Sequence, residues 1–209
     1  MRDADLRAVL IGNLSRRFSG DPNTRIVEEM GIWSGSVRID IAVINCELHG
    51  YELKSARDTL SRLDAQAVLY SQVFDRVTLV VAERHSDAAA TAVPDWWGIT
   101  IASLHHDAIK LQEVKPSQRN PSPDSLQLVR LLWRNELLTM LEQYGIDRGV
   151  RSSTVDIMAR RAAAEIPSLS LAGEVRAALK SRIGWLRQSG SNKSQMSIDS
   201  DFNPGGTTT

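Results

Sequence analysis

Residues 38–55, RIDIAVINCELHGYELKS, decide the fold of this chain. VRIDIAVIN is rich in β-branched residues and predicts a strand, CELHG a turn, and YELKS the returning strand. Residues two apart in a strand share a face, so Glu52 and Lys54 point one way and Leu53 points into the core. Asp40 lies on the neighbouring strand, close to Glu52 across the short connection. Two carboxylates held together repel unless a cation lies between them. Oxygen ligands of this kind suit a hard divalent ion, magnesium or manganese. Such an ion activates water and stabilises charge building on a phosphate, and Lys54 stands where it could orient that water. The spacing outlines a site for phosphodiester hydrolysis. It also fits a solvated hairpin face, and context separates the two. A second E-x-K triplet, Glu113-Val114-Lys115, runs straight into Pro116, whereas the one at 52–54 has an acidic strand before it and a helical pattern after it.

Working outward, DADLRAVLIGNLSRRF places Leu6, Val9, Leu10 and Leu14 at helical spacing. SGDPNT breaks that pattern, and RIVEEMGIWSGS is short and ambiguous. From Ser55 to Tyr70 the period becomes helical, with SARD as the start signal and Leu60, Leu63 and Ala67 on one face. Arg62, Gln66 and Tyr70 recur every fourth residue and line the opposite stripe. RVTLVVAE predicts a buried strand, and GITIASL and AIKLQEV two more around HHDA. KPSQRNPSPD, with three prolines in ten residues, predicts a linker. Beyond it the pattern is helical: SLQLVRLLWRNELLTMLEQYG ending at Gly145, then SSTVDIMARRAAAEI and SLAGEVRAALKSRIGWL. The expected organisation is a core over 1–116, a linker over 117–124, a helical extension over 125–190 and a polar, disordered tail over 191–209.

Lys and Arg number 25, as do Asp and Glu, so the chain is not the basic kind that coats nucleic acid without specificity. A single cysteine, Cys46, rules out an internal disulfide, and a reducing cytoplasm is the expected setting. Charges scattered through MRDADLRAVLIGNLSRRF do not suit a signal peptide, and no run approaches the roughly 18 apolar residues of a membrane span. His105, His106 and Asp107 are consecutive and so ill placed to converge on one ion. His49 reads as a loop-shaping residue, and Trp96 and Trp97 as packing for the last strands. From Arg130 to Arg187, ten basic residues face six acidic ones, and LLTMLEQYGIDRGVRSSTVDIMARRA faintly resembles a SAP-type DNA-binding helix-loop-helix. A plain helical cap on the core fits that segment equally.

Asp40, eleven intervening residues and then Glu52-Leu53-Lys54 resemble the signature of the PD-(D/E)XK phosphodiesterase superfamily. Gln66-Ala67-Val68-Leu69-Tyr70 resembles the QxxxY motif of its RecB-like and Cas4-like branch. LHGYELKSARDTLSRL, VTLVVAERH and VPDWWGI are similar to a group of bacterial and prophage proteins of that superfamily. The resemblance implies an α/β, restriction-endonuclease-like fold: a mixed sheet of about four core strands flanked by helices, here with a C-terminal helical extension. It implies that Asp40, Glu52 and the Leu53 carbonyl bind Mg2+ or Mn2+, and that Lys54 assists the water. Gln66 and Tyr70 complete the catalytic set. A helix before the first core strand often supplies a further acid; IVEEMGI offers Glu28 and Glu29, with Glu29 preferred. Arg57 and Arg62 are the candidate contacts to nucleic acid, DNA above RNA, and no membrane partner is implied. The rival expectation is a catalytically silent nuclease-fold module that binds nucleic acid or a partner protein; the intact Asp40, Glu52 and Lys54 set argues against it.

Overall fold

The computed structural model describes residues 1–32, 35–106 and 108–183. The expected tail over 191–209 and Asp107 of the histidine turn lie outside them. Helix α1 (Asp3–Arg17) opens the chain and buries Leu6, Leu10 and Leu14. Strands β1 (Arg25–Ile32), β2 (Val37–Ile44) and β3 (Leu48–Lys54) follow as an antiparallel meander. Helix α2 (Leu63–Tyr70) carries the chain to β4 (Arg76–Ala82), which runs parallel to β3. A 3-10 turn and the short α3 (Ser86–Ala89) lead to β5 (Gly98–His105), parallel to β4, and β6 (Ala108–Lys115) returns antiparallel. The six strands form one mixed sheet in sequential order. Helices α4 (Ser125–Val129), α5 (Arg134–Gln143), α6 (Val155–Glu165) and α7 (Ser168–Ser181) complete the described chain. No described helix is long and apolar enough to cross a membrane.

Alternation along the strands sends apolar side chains to both sheet faces. On one face Ile41, Val43, Tyr51, Leu53 and Val80 pack under the α1 leucines. On the other, Ile39, Ala42, Ile44, Leu79 and Val81 share one cluster with Leu63, Ala67 and Tyr70 of α2 and with Leu137, Leu171 and Val175 of the C-terminal helices. Gly50 is required on that second face. A Cβ there would lie 3.1 Å from the Phe74 ring and 3.3 Å from the Ile39 side chain.

The mixed sheet flanked by helices, with helices at the C-terminal end, agrees with the sequence; four points differ. RIVEEMGI is a strand, so Glu28 and Glu29 stand on β1 and not on a helix. The helix expected from Ser55 begins only at Leu63, because side chains capture the backbone first. Asp58 Oδ2 accepts from the Ser55 N–H at 2.7 Å, and Ser55 Oγ from the Arg57 N–H at 3.2 Å. Tyr70 is buried with Leu63 and Ala67, so the Arg62, Gln66, Tyr70 stripe turns from solvent into the core along its length. The single long helix after the prolines is two, α4 and α5. The intervening turn tightens as the Leu132 N–H reaches back to the Val129 carbonyl at 2.9 Å, and Arg182 takes the Leu131 carbonyl at 2.8 Å.

Candidate functional site

β2 and β3 pair only from Ile41–Tyr51 to Ile44–Leu48. Beyond that point they fork: residues 37–39 stay paired with β1, and residues 52–54 stay with β4. A fork strands backbone groups that a ladder would satisfy, and buried ones must find partners. Two side chains supply them. Asp40 Oδ2 accepts the Leu53 N–H at 2.8 Å, and the Tyr70 hydroxyl donates to the Arg38 carbonyl at 2.7 Å. The gap that brings Asp40 towards Glu52 is thus built from the same residues that fill it.

Glu52 and Lys54 share a face, as their spacing predicts, but that face is not solvated. Glu52 is 2% exposed and Lys54 6%, because α2 lies against them. Lys54 Nζ sits 2.5 Å from Glu52 Oε1 and 3.1 Å from Gln66 Oε1. Gln66 Nε2 donates to Glu52 Oε1 at 2.7 Å, and its Tyr70 hydroxyl neighbour lies 3.1 Å away. That hydroxyl is 2.8 Å from Glu52 Oε2. Burial, and then the nearby Asp40 carboxylate, push the Glu52 carboxyl above its usual range despite Lys54 and Tyr70. Burial and the Glu52 charge push the Tyr70 phenol well above its ordinary value, so it stays protonated and available as a donor.

Asp40 has a cation of its own that no local sequence pattern points to. Arg7 on α1 places Nη2 at 2.7 Å from Asp40 Oδ1 and Nη1 at 3.0 Å from the Asp40 carbonyl. The same Nη2 lies 2.9 Å from Glu29 Oε1, and Asp3 approaches Arg7 Nε at 3.4 Å. Burial alone would lower the Arg7 pKa, but Asp40, Asp3 and Glu29 together raise it. The i, i+4 pair Asp3–Arg7 was visible in sequence, yet nothing local shows that the helix crosses Asp40.

Glu29 holds its position through an unusual backbone. Its φ of 51° is left-handed, a region sparsely used by residues other than glycine. Glu28 pairs with Ile41 and Met30 with Ile39, so Glu29 and Asp40 fall between paired residues. Both strands change face there: Val27 and Met30 join the same cluster, as do Ile39 and Ala42. This reversal, with the β1–β2 register unbroken on either side, carries the two acids to one place beside Arg7.

The structure brings Asp40, Glu52, Lys54, Gln66 and Tyr70 together, with Leu53 between them through its backbone and Glu29 at the edge through Arg7. Glu28 is exposed and Arg57 and Arg62 are exposed around the loop after β3. Among the described residues, no group of three or more His, Cys, Asp or Glu side chains is placed to hold a metal ion. His105 at the end of β5 and His106 in the turn that follows sit exposed, and Trp97 is fully buried.

A six-stranded mixed sheet, forked around a buried carboxylate–ammonium–amide–phenol cluster, defines an α/β protein with one polar centre. Residues 1–198 match the family described as Bacteriophage P4 protein cII, and the chain belongs to that family. It is 26% identical over 146 residues to Protein cII of Enterobacteria phage P4; the match takes in 70% of this chain and 55% of that protein, so the chain spans about half the relative's length. Among solved structures, a protein of unknown function from Silicibacter pomeroyi is similar with a TM-score of 0.41 and 18% identity, over 68% of this chain and 93% of that one. SfsA of Pyrococcus furiosus, solved in complex with Ca2+, is similar with a TM-score of 0.33 and 12% identity, over 56% of this chain and 64% of that one.

Proposed function

We propose that this chain is a divalent-metal-dependent nuclease of the PD-(D/E)XK type, in the RecB/Cas4-like branch, hydrolysing phosphodiester bonds of DNA. The observation that carries this reading is the fork, which presents Asp40 from one strand and Glu52 and Lys54 from the next, with Gln66 and Tyr70 closing over Glu52. The residues fit a magnesium or manganese ion. Burial and the Asp40 charge both disfavour the ionised form of Glu52, and a divalent ion between the two carboxylates would offset that repulsion beyond what Lys54 and Arg7 supply. Mg2+ is usually held by one or two carboxylates and keeps several waters, so a third acid is not needed. Asp40, Glu52 and the Leu53 carbonyl would hold the ion, with Glu29 as the outer acid. Bound there, the ion supplies Lewis-acid stabilisation of phosphate charge and an activated water.

The remaining roles belong to the chain's own groups. Lys54, anchored by Glu52 and Gln66, orients the water. Gln66 fixes the Glu52 carboxylate by donating to Oε1, and the Tyr70 hydroxyl, whose one proton lies between Glu52 Oε2 and the Arg38 carbonyl, borders the other oxygen. Arg57 and Arg62 are exposed and, among the described residues, form no ion pair, so they take the phosphates at the site's edge. The helical segment has fewer cations to offer. Arg130 and Arg160 pair with Asp156, Arg151 with Asp147, Arg176 with Asp75, and Arg182 with Glu136. A nuclease with an exposed, unpaired Cys46 fits a reducing cytoplasm.

A second reading, a silent nuclease-fold module, is favoured by one observation: Arg7 and Lys54 already pair both carboxylates. Cleavage of labelled DNA in Mg2+ against EDTA separates the two. The nuclease reading expects Mg2+-dependent cleavage that falls to background in Asp40→Asn and Glu52→Gln. No cleavage by the wild-type chain in Mg2+ or Mn2+ supports the binding module. Full cleavage by both variants removes these residues from the chemistry.

A further inference from the structure

We propose that Arg7 is a positioning residue that sets Asp40 for the divalent ion and stays in place when the ion binds. This rests on the metal reading of the fork. The grip is two-pronged: Nη2 holds the Asp40 carboxylate at 2.7 Å and Nη1 holds the Asp40 backbone carbonyl at 3.0 Å. A guanidinium that spans a residue's side chain and its own backbone fixes the side-chain torsion, which a point charge could not do. The other carboxylate oxygen is held by the Leu53 N–H at 2.8 Å. Asp40 is therefore oriented from both sides, and each oxygen keeps a lone pair for a ligand bond.

Arg7 is itself held. Glu29 Oε1 meets its Nη2 at 2.9 Å, and Asp3 lies at 3.4 Å one helical turn back. The left-handed backbone at Glu29, φ 51°, aims that carboxylate at Arg7, which gives the strained residue a task. The Arg7 side chain is 16% exposed and Asp40 19%, so this contact is shielded, whereas Glu29 and Asp3 hold Arg7 from the solvent side. The alternative role is a stand-in cation that the metal must displace. Formal charge and geometry then predict opposite signs. As a stand-in, Arg7 opposes the ion, and its removal tightens metal binding. As a positioning residue, its removal leaves Asp40 free to rotate and weakens binding, although a positive charge has gone. Outer-shell partners that orient metal ligands are worth about 10–100-fold in affinity.

The test is calorimetric titration of Mn2+ into the full chain, with folding checked by circular dichroism. Arg7→Ala is expected to bind Mn2+ about 10-fold or more weakly than wild type. Arg7→Lys, which keeps the charge but cannot span both Asp40 oxygens, is expected to restore little of the loss. Equal or tighter binding by a folded Arg7→Ala overturns the proposal. If that variant does not fold, Arg7→Lys decides, and wild-type affinity in it overturns the proposal. Absence of saturable Mn2+ binding in the wild-type chain overturns the metal reading itself, an outcome read before any Arg7 variant.

Discussion

Lys54 and Glu52 stand two residues apart on one face but differ in role, because an ammonium is no metal ligand while a carboxylate is. Lys54→Ala is therefore expected to lower single-turnover cleavage by about 100-fold or more while shifting Mn2+ affinity far less. Loss of Mn2+ binding as complete as in Glu52→Gln would refute the role given to Lys54. A second residue on β3, His49, faces the α1 side and carries a pH consequence. Its Nε2 lies 2.9 Å from Thr78 Oγ1, and its ring stacks on Tyr51 at 4.3 Å. Burial, then Arg76 and Arg17, lower its pKa from 6.5 to about 3. The folded state thus stays neutral where the unfolded chain takes a proton. Stability from this residue is complete above pH 6.5 and falls as pH drops from there towards 3. Thermal midpoints should decline between about pH 7.5 and 5, and His49→Gln should flatten that slope. An unchanged slope would mean that other groups dominate the titration.

Helix α2 is short, yet it closes the fork between β2 and β3. Tyr70 stacks on Trp97 at 6.0 Å, and its hydroxyl meets both Glu52 and the Arg38 carbonyl. Tyr70→Phe keeps the ring in the core and removes the one hydroxyl proton that lies between Glu52 Oε2 and the Arg38 carbonyl. The expected cost is about 1–3 kcal/mol in urea denaturation, with weaker cleavage as Glu52 loses a donor. Unaltered stability would mean that water satisfies the Arg38 carbonyl. The strands of this region were legible because β-branched runs and the two-residue period are local. The nearness of Asp40 to Glu52 was legible for the same reason, since one short turn joins them. Arg7 was not, because its contact with Asp40 spans 33 positions, and helical periodicity does not say which strand a helix crosses. Nor was the late start of α2, where Ser55 and Asp58 turn the backbone before the helix can begin. Glu29 was picked out as an acid, but its left-handed φ has no counterpart in composition or spacing.

At the scale of the molecule, the question is whether the sheet and the C-terminal helices are separable. The proline-rich stretch has no regular secondary structure, yet it is stitched to the sheet along its length. Arg76 donates to the Ser117 carbonyl at 2.6 Å, and the Gln118 N–H to the Trp96 carbonyl at 2.8 Å. The buried Asn120 side chain donates to the Ser71 and Phe74 carbonyls at 2.6 and 2.9 Å, and the Asp124 N–H to the Gln72 carbonyl at 3.0 Å. Gly98 admits this strap: a Cβ there would lie 2.7 Å from the Ser117 backbone nitrogen. Beyond the strap, Leu128, Val129, Leu137, Leu141, Leu171, Val175 and Leu179 lie in the same apolar cluster as β2 and β4. Each such side chain contributes about 1.5–3 kcal/mol on burial. Together they rival the roughly 5–15 kcal/mol by which a whole domain is stable. We therefore expect the full chain to unfold in one cooperative transition, and a chain ending at Lys115 to be insoluble or to bind a hydrophobic dye without a thermal transition. The sheet would then present an uncovered apolar face, and Asn120's partners would be left unpaired. A soluble 1–115 chain with a cooperative melt and Mg2+-dependent cleavage would overturn this expectation and make the helices a separate unit. The same fragment also bears on DNA binding. With Arg130, Arg151, Arg160, Arg176 and Arg182 already paired to acids, the helices would displace few counterions from DNA phosphates. In the full chain, Arg57→Ala with Arg62→Ala should flatten the salt dependence of DNA affinity more than neutralising Arg160 and Arg161 does. The reverse ranking would move the DNA contact from the site's edge to the helices.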